Sequence, residues 1–229
     1  MEKWELHCHT AEVSKCSQVL AEKMVSIYIK MGYDGIVVTD HFNQGTFENL
    51  ESASVEEKIN FFLNGYYNTI RAAKNRIKVL LGMELCCGSS NDYLIYGINK
   101  TFLKLLATNS IDLRKLSIKE VSDLVHQNNM LLIQAHPFRN AMTIIPPELL
   151  DGIETFNGNP RHASRNDIAY AWAEKYNLVA TSGSDFHNIG DAGRGGIIVP
   201  GVIQNQADLI QAILSHPKHI ITKDGFSHI

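Results

Sequence analysis

Gly35-Ile36-Val37-Val38-Thr39-Asp40-His41 decides how the rest of the chain is read. Its unbroken apolar run, stopped at once by three polar residues, is the pattern of a parallel strand covered on both faces. Upstream, Trp4-Glu5-Leu6-His7-Cys8-His9 reads as a short first strand. An apolar-periodic stretch over residues 19–31, closed by Gly32, forms a helix between the two strands. The unit is β-α-β.

Downstream the rhythm continues. Ser54 with Glu57 is a capping box ahead of a helix reaching about residue 76, and residues 77–84 form a third strand. Residues 93–97 give a fourth strand. Ser117 with Glu120 caps another helix to about residue 128, and the strand 130–135 is stopped by His136-Pro137. Residues 152–157 are a sixth strand, 163–176 a helix, 178–183 a seventh strand and 207–214 a last helix. Strands alternating with helices imply an α/β protein with a parallel sheet, open or closed into a barrel. The chain of 229 residues lacks repeats and Pro/Gly-rich linkers, so one domain over 1–229 is expected.

A composition of 45% hydrophobic and 20% charged residues is that of a globular protein with a packed core. The net charge of -3 carries no global basic field, which leaves nucleic acid a place only as a substrate. The first residues lack the apolar stretch of a signal peptide and no segment approaches a membrane span, so a cytoplasmic location and no membrane partner are expected. Cys8, Cys16, Cys86 and Cys87 are too few and too unevenly spaced for a disulfide framework or a zinc ribbon, and read as reduced thiols.

The chemistry lies in the strand ends. His7 and His9, His41, Glu84, His136, and Asp185 with His187 each stand at or just past the C-terminal end of a predicted strand, and five strands contribute. In a parallel α/β barrel those ends share one face, where active sites are built. Residues two apart on a strand point to one side, so His7 and His9 can reach one ion while Cys8 points away. Imidazole with carboxylate suits hard-to-borderline divalent metals, and Glu84 or Asp185 can bridge two ions.

Each element alone has an ordinary explanation. HxH pairs occur on surface strands by chance, Thr39-Asp40-His41 can be an Asx turn, Glu84 can pair with a core arginine, and Ser184-Asp185 can cap a helix. Independent accidents rarely place them all at one end of five strands, and the conjunction favours metal. His126, His216, His219 and His228 read as surface residues. His162 begins a helix near the active end, Cys8 reads as core, and Cys16, in the loop after His9, is within reach of the site.

His7-Cys8-His9-Thr10, Thr39-Asp40-His41, Gly82-Met83-Glu84, Ala135-His136-Pro137 and Gly183-Ser184-Asp185-Phe186-His187, in that order, resemble the polymerase and histidinol phosphatase (PHP) family over residues 7–187. The resemblance implies a distorted seven-stranded, TIM-like β/α barrel with two or three zinc, manganese or iron ions. In it His7, His9, Glu84 and Asp185 hold one ion, Glu84 bridges to a second that takes His136, and His41 with His187 hold a third. Residues 152–159 are similar to a segment that lines the site in stand-alone members. Two positions depart from the family pattern. The loop after the HxH pair has no histidine or aspartate, leaving Glu12 or Cys16 as substitutes. The fourth strand has no histidine near its end, leaving Asn99, water or substrate.

The expected activity is metal-dependent hydrolysis of a phosphate monoester, in a small molecule or nucleotide, by a metal-activated hydroxide. His187 is the candidate to assist the leaving oxygen. Arg139 and Arg194 are candidate phosphate clamps, ahead of Arg161 and Arg165, because the planar guanidinium can hold two phosphate oxygens. The rivals are an exonuclease-like phosphodiesterase on short nucleic acids, an amidohydrolase, for which no suitably placed bridging lysine is found, and a non-catalytic metal-binding module. The sequence leaves the oligomeric state open.

Overall fold

The computed structural model describes every residue except 89–90, 109–110, 216–218, 223–224 and 229, with backbone alone for 219–220, 222 and 225–228. Its elements run β1 (Glu2–Cys8), α1 (Ala21–Lys30), β2 (Gly35–Val38), β3 (His41–Phe42), α2 (Val55–Ala73), β4 (Lys78–Cys87), β5 (Asn91–Tyr96), α3 (Lys100–Leu106), α4 (Ile118–Gln127), β6 (Leu131–Gln134), β7 (Gly152–Asn157), α5 (Asn166–Tyr176), β8 (Val179–Gly183), β9 (Ile197–Val199), α6 (Gln206–Leu214), β10 (His219–Thr222) and β11 (Gly225–His228). Seven strands in the order β1-β2-β4-β5-β6-β7-β8 make a distorted barrel.

The distortion is at the seam. On β1, Glu2, Lys3 and Trp4 pair antiparallel with β9, which leads on to β10 and β11. Only past that stretch does β1 meet the end of β8, through a parallel bridge between Cys8 and Phe186. The Phe186 amide donates to the His7 carbonyl at 3.2 Å and the His9 amide to the Phe186 carbonyl at 3.1 Å. The barrel is therefore closed by hydrogen bonds at the end where β1 and β8 deliver their histidines.

One strand runs against the expectation of a parallel sheet. β5 is antiparallel to both β4 and β6. Only residues 88–90 separate β4 from β5, too few for the helical crossover that parallel neighbours require. The reversal turns the start of β5, not its end, towards the active face.

The boxes at Ser54 and Ser117 form as predicted: each hydroxyl accepts from the amide three residues on, and Glu57 and Glu120 reach back to the serine amides. α3, β9, β10 and β11 were not expected; each is seven residues or shorter, below the length at which periodicity can be read. Trp4, Leu6, Val37, Leu94, Tyr96 and Ile133 pack with Leu209 and Ile213 of α6 in one apolar cluster. Each large side chain so buried contributes roughly 1.5–3 kcal/mol.

Candidate metal centre

Four imidazoles converge on one buried carboxylate. Glu84 Oε1 lies 3.1 Å from His7 Nε2 and 3.2 Å from His136 Nε2, and its Oε2 lies 3.3 Å from His9 Nε2 and 2.9 Å from His41 Nδ1. Asp185 Oδ1 stands 3.6 Å from both His7 Nε2 and His9 Nε2, and 3.3 Å from His187 Nδ1. All seven residues predicted from the strand ends are thus brought together. They form three overlapping groups, each with donor atoms within 4.8 Å of one another: His7, His9 and Asp185; His7, Glu84 and His136; and His9, His41 and His187.

His7 Nε2, His9 Nε2 and His41 Nδ1 are buried and have no hydrogen-bond partner, although carboxylates face them. A buried polar atom left so costs about 1–3 kcal/mol. Binding of a divalent cation is the arrangement that would satisfy them, and the donor chemistry fits zinc, iron or manganese.

A second layer fixes the tautomers. Glu154 on β7 places Oε1 2.9 Å from His7 Nδ1, while its Oε2 accepts from the His136 amide at 3.0 Å and from Asn157 Nδ2 at 2.9 Å. Glu154 thereby holds a proton on His7 Nδ1 and turns its Nε2 to the cluster. Ser14 donates its hydroxyl to Asp40 at 2.7 Å, so it can only accept from His9 Nδ1, 3.3 Å away. His9 is fixed in the same sense. Such outer partners typically matter by 10–100-fold in metal affinity. Accordingly Glu154→Gln, which leaves one acceptor where two are needed, should lower zinc affinity by about that factor in competition with a chelating dye, with the fold retained.

Carboxylates and imidazoles in the cluster shift one another's protonation. Burial opposes charge on His7, yet the carboxylates of Glu154, Glu84 and Asp185 hold its pKa well above the ordinary imidazole value. Burial, joined by repulsion from His187 and His41, drives His9 well below it. Burial likewise disfavours ionised Glu84 and Asp185, but the adjacent imidazoles more than offset it and hold both carboxyls well below their usual range. The potential that retains protons on buried imidazoles is the one that attracts a divalent cation.

The backbone is bent to this purpose. His136 has φ 30° and Asp185 φ 49°, left-handed values in non-glycine residues at the ends of β6 and β8. Such conformations cost about 1–3 kcal/mol each and collect at functional sites. Gly183 leaves no room beside them, since a Cβ there would stand 2.3 Å from His7 Cβ and 2.9 Å from Glu154 Oε1. Gly183→Ala is expected to cost about 1–3 kcal/mol by overpacking and to reduce bound metal, read from thermal unfolding and metal analysis.

A cavity of about 180 Å³ opens onto the cluster, walled by Cys16, His41, Glu84, Asp92, His136, Arg139, Asn159, Arg161, His162, Asp185, His187 and Asn188. Arg139 is there, but its Nη2 is engaged by Asp185 Oδ2 at 2.6 Å and Asn157 Oδ1 at 3.0 Å. Arg194 is not on the wall, and its Nε is bonded to the Gly158 carbonyl. Arg161 and His162 take its place, with Arg161 also paired to buried Asp191. Arg165 turns to the Phe138 carbonyl and Asn140.

Neither Glu12 nor Asn99 fills a gap. The Glu12 carboxylate accepts from the Ala21 amide at the start of α1 and from Asn68, and Asn99 caps α3. Asp92, at the start of β5, lies 3.9 Å from His136 Nε2 instead. Asp40 does not form an Asx turn; it is buried on Thr10 and Ser14. A Cβ on helical Gly65 would come within 2.2 Å of its Oδ2, which explains a glycine in mid-helix. Cys8 is buried with its thiol on the Val37 carbonyl, and His126 pairs with Asp151 away from the centre. His216 and the side chains of His219 and His228 lie outside the described residues.

A seven-stranded α/β barrel whose strand ends gather histidines around shared carboxylates defines a class of metal-centre protein. The chain belongs to the PHP domain family, whose model matches residues 5–227. No curated protein matches it in sequence. Among solved structures it is similar to PsfC from Pseudomonas syringae, with a TM-score of 0.66, 16% identity, and 92% of this chain and 88% of that one covered. It also resembles a two-domain protein from Bacteroides vulgatus containing a predicted PHP-like metal-dependent phosphoesterase (TM-score 0.68, 15% identity, 98% and 66% covered). A third likeness is the lesion-specific endonuclease EndoQ from Pyrococcus furiosus (TM-score 0.58, 15% identity), of which the chain covers 56% and which covers 93% of this chain. No helix among the described residues is long and apolar enough to cross a membrane.

Proposed function

We propose that the chain is a divalent-metal-dependent phosphoesterase that hydrolyses a phosphate monoester of a small molecule or nucleotide. The observation that carries this reading is the set of buried, unpartnered nitrogens of His7, His9 and His41 turned onto Glu84 and Asp185. His7, His9, Glu84 and Asp185 would hold one ion, Glu84 and His136 with Asp92 a second, and His41 and His187 a third. Such ions supply a hydroxide nucleophile at neutral pH and neutralise charge on phosphoryl oxygens.

The chain's own groups do the rest. Arg139 steadies Asp185, while Arg161 and His162 on the cavity wall meet the phosphoryl oxygens and the leaving group. His187 is assigned to metal rather than to proton delivery. Its Nδ1 lies 3.0 Å from the Asp185 carbonyl and its Nε2 3.1 Å from Cys16 Sγ, so both ring nitrogens already have partners. The cavity is smaller than the ~300 Å³ at which small-molecule pockets begin, so it admits a phosphoryl group and leaves the remainder at the rim. No lysine is on the wall, which weighs against the amidohydrolase reading.

The test is turnover of an aryl monophosphate and of the matching bis-aryl diester, before chelation, after it, and after restoring zinc, manganese or iron. Metal-restored turnover favouring the monoester supports the proposal. Faster diester cleavage would shift it to a nuclease-type reaction, and bound metal without turnover on either would leave a binding module.

A further inference from the structure

The geometry points to Cys16 as a thiolate donor that completes the His9, His41 and His187 group and sets its metal preference. This inference rests on reading the cluster as a metal centre. Cys16 belongs to the loop between β1 and α1, and its Sγ lies 3.1 Å from His187 Nε2 on the wall of the cavity. Its thiol also meets His41. The three imidazoles stand face to face or tilted, with centroids 4.4 Å apart for His9 and His41, 4.3 Å for His9 and His187 and 5.9 Å for His41 and His187.

Three features single out this corner. The group is made of imidazoles alone, so it brings no anionic donor of its own, unlike the two groups that contain Asp185 or Glu84. His9 Nε2 and His41 Nδ1 are buried and unpartnered. With the Asp185 carbonyl on His187 Nδ1, one proton is shared between His187 Nε2 and the Cys16 sulfur. An ion entering here replaces that one shared proton, which leaves to solvent, and becomes bonded to both sulfur and nitrogen. At 3.1 Å the sulfur and nitrogen are near enough that one divalent ion could take both as donors.

The consequence is selectivity. A thiolate with imidazoles favours zinc, cobalt or ferrous iron, whereas oxygen donors suit manganese and magnesium. Of the remaining thiols, Cys8 is buried on the Val37 carbonyl, Cys87 is buried, and Cys86 meets Asp92 but is not on the cavity wall. Cys16 is exposed, which lets it be replaced without disturbing the core.

The experiment is cobalt(II) titration of the metal-depleted full chain, followed by absorption, in wild type, Cys16→Ser and Cys16→Asp. A near-ultraviolet sulfur-to-cobalt charge-transfer band is expected in wild type and lost in both variants, while the visible cobalt bands of the remaining ions persist. Zinc affinity of one site should fall by more than about tenfold in Cys16→Ser, and Cys16→Asp should recover manganese binding better than zinc binding. Cobalt bound without the band, or a band that survives Cys16→Ser, overturns the inference and leaves the metal centre standing. No cobalt bound by the folded wild-type chain overturns the metal-centre reading and this inference with it.

Discussion

Glu84→Gln is expected to abolish turnover and to strip the centre of most of its metal. Among the described residues Glu84 is the one side chain within 3.3 Å of four imidazoles, from β1, β3 and the end of β6, so it touches members of all three groups. An amide keeps its shape and loses its charge. Without that charge the proposed ions would lose their common ligand, and the four imidazoles would keep only Asp185 and Asp92 as carboxylate ligands. Charge stabilisation by a bridged ion contributes several kcal/mol to a phosphoryl-transfer transition state, and about 4 kcal/mol corresponds to a thousandfold in rate. Metal analysis of the purified variant should show at most one ion, and turnover of an aryl phosphate should fall by about a thousandfold or more. Metal content equal to wild type would show that Glu84 is not a ligand.

Glu5→Leu carries the largest expected loss of stability. Glu5 is wholly buried, and it accepts from the His7 amide at 3.0 Å and the Ser184 amide at 2.9 Å with Oε1, and from the Tyr28 hydroxyl at 2.8 Å with Oε2. Leucine fills similar volume and accepts nothing. Three buried donors would be stranded at about 1–3 kcal/mol each, a sum comparable to the whole stability of many domains. Thermal unfolding should show a large drop in midpoint or no cooperative transition. Glu5→Gln, which retains one acceptor oxygen, should fall between the two.

The sequence made the seven strands and the seven clustered residues legible because both depend on pattern: apolar runs, and polar residues placed where each run stops. What stayed hidden depends on direction and on depth. Asp92 lies outside that pattern because a parallel fourth strand would put its far end, not Asp92, at the active face. The signal was available, since three residues between β4 and β5 cannot hold a crossover helix. Glu154, within the segment 152–159, and Glu5 each sit inside an apolar strand, where a buried carboxylate is uncommon and signals a partner. The arginines were harder. Distance along the chain from a strand end does not say whether a guanidinium is free or already bonded, and Arg194 and Arg139 are both engaged by neighbours.

The seam between β1 and β8 bears on how the protein is made. Ser184 follows Glu5 by 179 residues, so the imidazole pair of β1 is synthesised well before Asp185 and His187. At translation rates of about 5–20 residues per second the first histidines wait many seconds on the ribosome before Asp185 exists. A nascent chain therefore presents an open, half-built ligand pair, and competence arrives in a single late event, when the segment after β8 zips onto β1.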